Sequence, residues 1–312
     1  MSYPKVTIVG AGQVGATAAF VLVTRGVADV TLIDVAAGMP QGKALDMMHS
    51  RSVLRFAPTV AGTNDYSDTA GSDVVVITAG VPRKPGMTRD ELLSINSGIV
   101  GTVVEAAVRA SPDAVFLCVT NPLDVMTDLA WKLSGLPATR VFGMGGVLDS
   151  ARFAYFIAQA TGAAIGDVEA LVVGAHGDAM VPLPRLSTVA GRSFTDLLPA
   201  EEVADVVRRT VFGGAEVVAL LKTGSAFYAP GVSVAAMVEA VLGDSGAILP
   251  SCVRLTGEYG IDGVHMSVPA LLGRQGVLAV PELPLDDAEL TALRASAAQV
   301  REQISALEAT RV

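Results

Sequence analysis

Short, nearly unbroken apolar runs alternate with helix-patterned segments through the first half of the chain. KVTIV (5–9), DVTLI (29–33), DVVVIT (73–78) and AVFLCV (114–119) are rich in Val and Ile. Such runs predict buried strands of a parallel sheet covered on both faces, because a strand with one wet face would alternate apolar and polar residues. VFG (141–143) predicts a further short strand, and helical spacing occupies 14–25, 43–56 and 92–110. This alternation predicts βαβ units in a doubly wound α/β sheet.

After about residue 145 the pattern changes. A helical segment at 150–160 leads to EALVVGAHG (169–177), then to PLPRLSTVAG and a polar turn at Arg192 and Ser193. Further helices are expected at 202–222, 233–242 and 286–309, the last with Leu290, Leu293, Val300, Ile304 and Leu307 in an amphipathic stripe. This mixture predicts an α+β unit with antiparallel hairpins. No repeat, low-complexity tract or long linker separates the halves. They are expected to share an extensive interface, with the active site in the cleft between them.

The 312 residues are 51% hydrophobic and 17% charged, which suits a large core and excludes a disordered chain. The net charge of −9 argues against nucleic acid or an anionic membrane as partner, since both need a basic surface. Cys118 and Cys252 offer no framework of bridges, and Cys118, inside AVFLCV, is expected to be buried. His49, His176 and His265 form no ligand pair, so no metal is expected. No apolar signal core follows Met1, and no run of about 18 apolar residues could span a bilayer. A soluble cytoplasmic protein is the expectation.

Gly10-Ala11-Gly12-Gln13-Val14-Gly15 matches G-x-G-x-x-G where the first strand gives way to a helix. Gly10 would permit the tight turn, Gly12 the approach of a pyrophosphate, and Gly15 close helix–strand packing. The helix N-terminus would face the phosphates. Asp34, 19 positions after Gly15 at the end of the next strand, can accept hydrogen bonds from a ribose diol. Its charge would repel a 2′-phosphate, so NAD is expected rather than NADP.

AGVPRKPGMTRD (79–90) sets Arg83 and Arg89 six residues apart on a segment that Pro82, Pro85 and Gly86 keep irregular. Two guanidiniums there suit a lid over a small anion with two negative groups. Taken in isolation, a pair of this kind reads first as a solvated basic loop. Asp149 and Arg152, three apart in GVLDSAR, can project from one helix face or form an ordinary surface ion pair. His176, after an apolar strand and before Gly177, can be catalytic or structural. Asn121 follows a strand at the sheet edge where ligands bind, or simply starts the Asn-Pro turn.

As an ordered set these motifs say more. GAGQVG with Asp34, PRKPGMTR, VTNPLD, GVLDSAR and GAHGD occur in the order seen in 2-hydroxy-acid dehydrogenases. Over essentially its whole length the chain resembles the lactate/malate dehydrogenase family, and most of all its bacterial lactate-dehydrogenase-like malate dehydrogenases. The resemblance implies a Rossmann NAD-binding domain over 1–144 and a substrate-binding catalytic domain over 145–312. It implies His176 as proton donor and acceptor, and Asp149 as its orienting carboxylate. Arg152 would grip the 1-carboxylate, Arg89 polarise the carbonyl and Arg83 meet a second carboxylate. Asn121 would contact substrate and nicotinamide, while Asn96, Val119, Thr120 and Asn121 touch the cofactor.

The expected reaction is reversible oxidation of (S)-malate to oxaloacetate. The alternatives are a lactate dehydrogenase, which would need a neutral residue in place of Arg83, and a nicotinamide-binding regulator without turnover. Two departures from the family pattern stand out. Gly145, where Ala is frequent, is expected to cost only backbone rigidity, and Ala226, where lactate-specific relatives carry Thr, leaves room for a longer substrate. The helical segment 41–56, with Ala44, Leu45, Met47, Met48 and Leu54, either packs on its own sheet or forms the family's dimer contact. By the resemblance, a homo-oligomer is expected, tetramer before dimer.

Overall fold

The computed structural model describes residues 3–82 and 87–310. The apolar runs of the first half form β1 (Lys5–Val9), β2 (Asp29–Ile33), β3 (Val60–Thr63), β4 (Val74–Ile77), β5 (Val115–Cys118) and β6 (Val141–Gly143). They lie in the order β3-β2-β1-β4-β5-β6, all parallel, the arrangement of a doubly wound sheet. Helices α1 (Gln13–Thr24), α2 (Met39–His49), α3 (Arg51–Leu54), α4 (Arg89–Ala110) and α5 (Leu123–Ser134) connect them. The sequence did not predict β3, whose apolar run is broken by Gly62, or α5. The single helix expected over 43–56 is two, separated at Ser50.

The second half contributes α6 (Gly146–Thr161), β7 (Val168–Glu169), β8 (Val172–Gly174), β9 (Met180–Pro182), β10 (Thr188–Val189) and β11 (Arg192–Ser193). Then come α7 (Ala200–Leu221), α8 (Tyr228–Leu242), β12 (Ala247–Thr256), β13 (Asp262–Gly273), β14 (Gly276–Ala279) and α9 (Asp287–Thr310). Arg192 and Ser193, expected as a turn, pair with β10 in a small antiparallel sheet with β7. The antiparallel β12–β13 hairpin joins the parallel sheet itself, Cys252 pairing with Gly143 at the edge of β6. One sheet therefore runs through both halves, continuing β6-β12-β13-β8-β9. That continuity brings the ends of β5, β6 and β8 to one place.

The core follows the apolar pattern. Val6, Ile8, Leu32, Val76, Ile77 and Leu117 are fully buried between helix layers, as is Cys118. In α9 the predicted stripe turns inward, with Leu293, Val300, Ile304 and Leu307 buried. Residues 91–110 of α4 are long and apolar enough to cross a membrane by length and a mean hydropathy of 1.3. Here Val100, Val104 and Ala107 are buried in the core cluster instead.

Candidate active site

The glycine motif is built as a ligand-facing turn. Gly10 has φ +104°, and a Cβ there would lie 2.7 Å from Thr78 Oγ1 and 2.8 Å from Ala79 N. At Gly15 a Cβ would collide with the Gly10 carbonyl oxygen, so α1 sits against the turn as closely as backbone allows. At Gly12 no atom lies within 4 Å of the equivalent position. Gly12 is also the N-cap of α1, with no side chain bonded to the cap. The uncapped N–H groups and the open face over Gly12, Gln13 and Val14 fit a diphosphate.

Asp34 carries a second duty that the sequence did not suggest. Its Oδ2 accepts the Ala11 N–H at 2.8 Å and its Oδ1 the Ala36 N–H at 3.0 Å. Each oxygen keeps a lone pair, so the carboxylate can hold the turn and still accept from a ribose diol. The residues present therefore fit a nicotinamide dinucleotide.

At the C-terminal edge of the sheet, Thr120 Oγ1 donates to the Ala79 carbonyl at 2.7 Å, tying the end of β5 to that of β4. Asn96, buried in α4, accepts the Val81 N–H at 2.8 Å and donates to the Asn121 carbonyl at 2.7 Å. Asn96 thus clamps the strand ends on which Val119, Thr120 and Asn121 sit. The side chain of Asn121 is exposed at this edge. Arg83 lies outside the described residues, as does the side chain of Arg89, whose backbone opens α4 behind a Thr88–Glu91 capping box.

The chemical group is His176. Its Nδ1 lies 2.8 Å from Asp149 Oδ2, and the same carboxylate accepts from Arg152 Nη1 at 3.2 Å through Oδ1. A carboxylate only accepts, so Nδ1 carries the hydrogen and Nε2 is the free base. Asp149 occupies the first turn of α6, where the helix dipole favours an anion, and its side chain is 2% exposed. The His176 and Arg152 side chains are 16% and 17% exposed, so both reach the cleft.

Burial pulls the imidazole down, but the Asp149 charge and hydrogen bond, with the Asp124 charge, outweigh it against a smaller opposition from Arg152. The pKa of His176 ends above its ordinary value of 6.5.

Several residues absent from the sequence reading hold this group. Ser296 of α9 accepts the Ala175 N–H and donates to the Ala179 carbonyl, both at 2.8 Å, bracketing the His176 turn. Ser150 accepts the Val172 N–H at 3.0 Å, fastening β8 to α6. Asp124 accepts the His176 N–H at 2.9 Å. Gly145 needs a correction. A Cβ there would lie 2.7 Å from Ser267 Oγ and 2.8 Å from Leu123 Cδ2, so in this chain Ser267 fills the space a methyl would need. An alanine at 145 would need the Ser267 and Leu123 side chains to shift, a cost beyond any loss of rigidity.

The lactate/malate dehydrogenase NAD-binding domain matches residues 4–143, and the family's α/β C-terminal domain matches residues 146–310. The chain belongs to the lactate/malate dehydrogenase family, and its first part is an NAD-binding domain of that family. A malate dehydrogenase of Dehalococcoides mccartyi is 50% identical over 304 residues, 97% of this chain and 99% of its own length. The crystal structure of Cryptosporidium parvum malate dehydrogenase superposes with a TM-score of 0.96 at 41% identity, covering 98% of this chain and 99% of that one. The lactate dehydrogenase of the same organism, complexed with lactic acid and nicotinamide adenine dinucleotide, gives 0.95 at 40% identity over 99% of each chain. Backbone shape does not separate the two substrates.

Proposed function

We propose that the protein reversibly oxidises (S)-malate to oxaloacetate with NAD, as malate dehydrogenases do. The observation that carries the chemistry is one buried carboxylate, Asp149, shared by His176 and Arg152 at the cleft. The substrate rests on Arg83 in the sequence and on full-length relatives near 50% identity that are malate dehydrogenases.

Bound NAD supplies the hydride acceptor and NADH the donor. Gly10–Gly15, Asp34 and residues 119–121 are the parts that would hold it, with Asn96 fixing the last of these. His176 Nε2 takes the hydroxyl proton as the alcohol becomes a carbonyl, and Asp149 stabilises the resulting imidazolium. In the reverse direction His176⁺ and Arg89 stabilise negative charge growing on the carbonyl oxygen. Arg152 uses Nη1 on Asp149 and keeps the rest of its donor fork for the 1-carboxylate. Asn121 adds a polar contact to the substrate, and Arg83 pairs with the second carboxylate of the small dicarboxylate.

Homo-oligomerisation, as a tetramer, belongs to the same reading. Supporting it are exposed apolar side chains on both halves, Leu45, Val53 and Leu54 on α2 and α3, and Tyr155, Phe212 and Leu220 on α6 and α7. Light scattering of the eluted protein tests the state. A cytoplasmic setting is also part of the reading, and two buried free thiols suit a reducing compartment.

NADH oxidation with oxaloacetate and with pyruvate tests the function. A cation buried against a methyl group costs several kcal/mol, so oxaloacetate is expected to be preferred by roughly 10³-fold in kcat/KM. Arg83→Gln should collapse that ratio, whereas Arg89→Gln should depress both reactions. Preference for pyruvate would make the chain a lactate dehydrogenase, and turnover of neither acid would leave a regulator.

A further inference from the structure

We infer that Asp124 is a positioning residue of the proton-transfer site, a second carboxylate that anchors the His176 backbone and supports the charged form of its ring. The inference rests on His176 being the acid–base group.

Asp124 lies in the first turn of α5, three residues beyond Asn121, and is 5% exposed. Its Oδ2 accepts the His176 N–H at 2.9 Å, and its Oδ1 accepts from the Cys252 thiol at 3.3 Å. Among the described residues no Lys or Arg forms an ion pair with it. Asn would accept the same N–H without the cost of burying an ionisable group. A carboxylate at this position therefore calls for a use of its charge, and the group that gains from it is the imidazolium of His176.

Among the described residues the charged groups facing His176 are Asp149 and Arg152 from α6 and Asp124 from α5. Those facing Asp124 are His176, Cys252 of β12 and Cys118 of β5. Burial pushes Asp124 up to about 6, against the opposing pull of the His176 charge, its N–H and the Cys252 thiol. Above that pH the carboxylate is ionised and favours protonation of the ring. The Arg152 guanidinium works against the Asp149 charge, and the Asp124 charge works with it.

The test uses pH profiles of oxaloacetate reduction, which needs the imidazolium and so declines as pH rises through the His176 limb. Asp124→Asn keeps an acceptor for the backbone and removes the charge. Its low-pH plateau should stay within about threefold of wild type, while the limb moves to lower pH and the rate above it falls about three- to tenfold. Asp124→Ala removes the anchor as well and should lower the plateau itself by about tenfold, since small misplacements of a catalytic group are costly. Titration of the His176 ring by NMR in Asp124→Asn should show the same downward movement without any turnover. An unmoved limb and an unmoved ring titration in Asp124→Asn overturn the proposal, even if Asp124→Ala does not fold. Wild-type turnover in His176→Asn would instead overturn the acid–base reading on which it stands.

Discussion

Among the described residues two histidine–carboxylate pairs stand out, and only one of them is placed to do chemistry. His176 meets Asp149 at 2.8 Å with its side chain 16% exposed to the cleft. His265 of β13 meets Asp128 of α5 at 3.1 Å with its side chain 0% exposed. Among the described residues Asp149 is shared with one guanidinium, that of Arg152. Asp128 is also engaged by Lys132 at 2.6 Å and Arg254 at 3.6 Å, so its charge is spread over competing cations.

Trp131 closes the second site. Its ring lies 5.7 Å from that of His265, with the Arg254 guanidinium 4.1 Å over its face. Nε2 of His265 is buried with no hydrogen-bond partner among the described residues. Burial, followed by the charges of Arg254 and Lys132, holds His265 below its ordinary pKa despite Asp128, whereas His176 sits above it. Residue type and pairing are thus not enough for catalysis. Access for a proton acceptor and an anion-rich surround separate the two.

The largest expected effect that would break the comparison comes from exchanging each carboxylate for its amide. Asp149→Asn should lower kcat by about 10²–10⁴-fold, because the imidazolium loses its main support and its tautomer control. Asp128→Asn should leave kcat within about threefold in folded protein while lowering Tm, since Arg254 and His265 lose the charge they face and Lys132 keeps only Glu308. Equal loss of turnover in both variants would erase the distinction.

The next effect is in pH dependence. Because His176 is raised, malate oxidation should climb with pH through a limb above 6.5, and oxaloacetate reduction should fall through the same limb, about tenfold per unit. Steady-state profiles in both directions measure it. A limb below 6.5 would give His176 the character of His265.

Stability should move by less. Asp124 is raised from 3.8 to about 6, so its proton stabilises the folded state below 3.8 and that advantage is lost as pH rises to about 6. At pH 8 the buried charge costs about 3 kcal/mol, at roughly 1.4 kcal/mol per unit, and Asp124→Asn should recover much of it. Denaturant midpoints at pH 8 and pH 4 test this, with the gain confined to the higher pH. The smallest effect is that of His265, whose lowered pKa makes its contribution present above 6.5 and lost as pH falls. His265→Gln should therefore flatten the acid side of the Tm profile by a few degrees.

What the residues made legible follows the same division. β1, β2 and β6 begin and end where their apolar runs do, because buried parallel strands leave no polar face to blur the pattern. Asp149, Arg152 and His176 were legible as an ordered set of motifs, though their contacts needed the fold. α5 is not among the predicted helices although Leu123, Met126, Leu129, Ala130 and Leu133 recur at helical spacing, and the fold buries Asp124, Thr127 and Asp128 of the same helix as well. With α5 unread, Asp124 has no assigned role, and nothing local links it to His176 across 52 residues. The β12–β13 hairpin was hidden, as Pro250 and Pro269 stand opposite one another in it and interrupt both runs. Ser296, spaced like any small polar residue of an amphipathic helix, gave no sign that it brackets the His176 turn.

The most direct measurement sets His176→Asn beside His265→Asn in one assay of oxaloacetate reduction, with NADH binding followed by fluorescence. His176→Asn should lose about 10²–10⁴-fold in kcat while still binding NADH, because the group that changes protonation is gone and the cofactor's contacts are elsewhere. His265→Asn, once shown to be folded, should turn over within a few-fold of wild type. Near-normal turnover in His176→Asn, or a loss confined to His265→Asn, would contradict the assignment of proton transfer to the exposed pair.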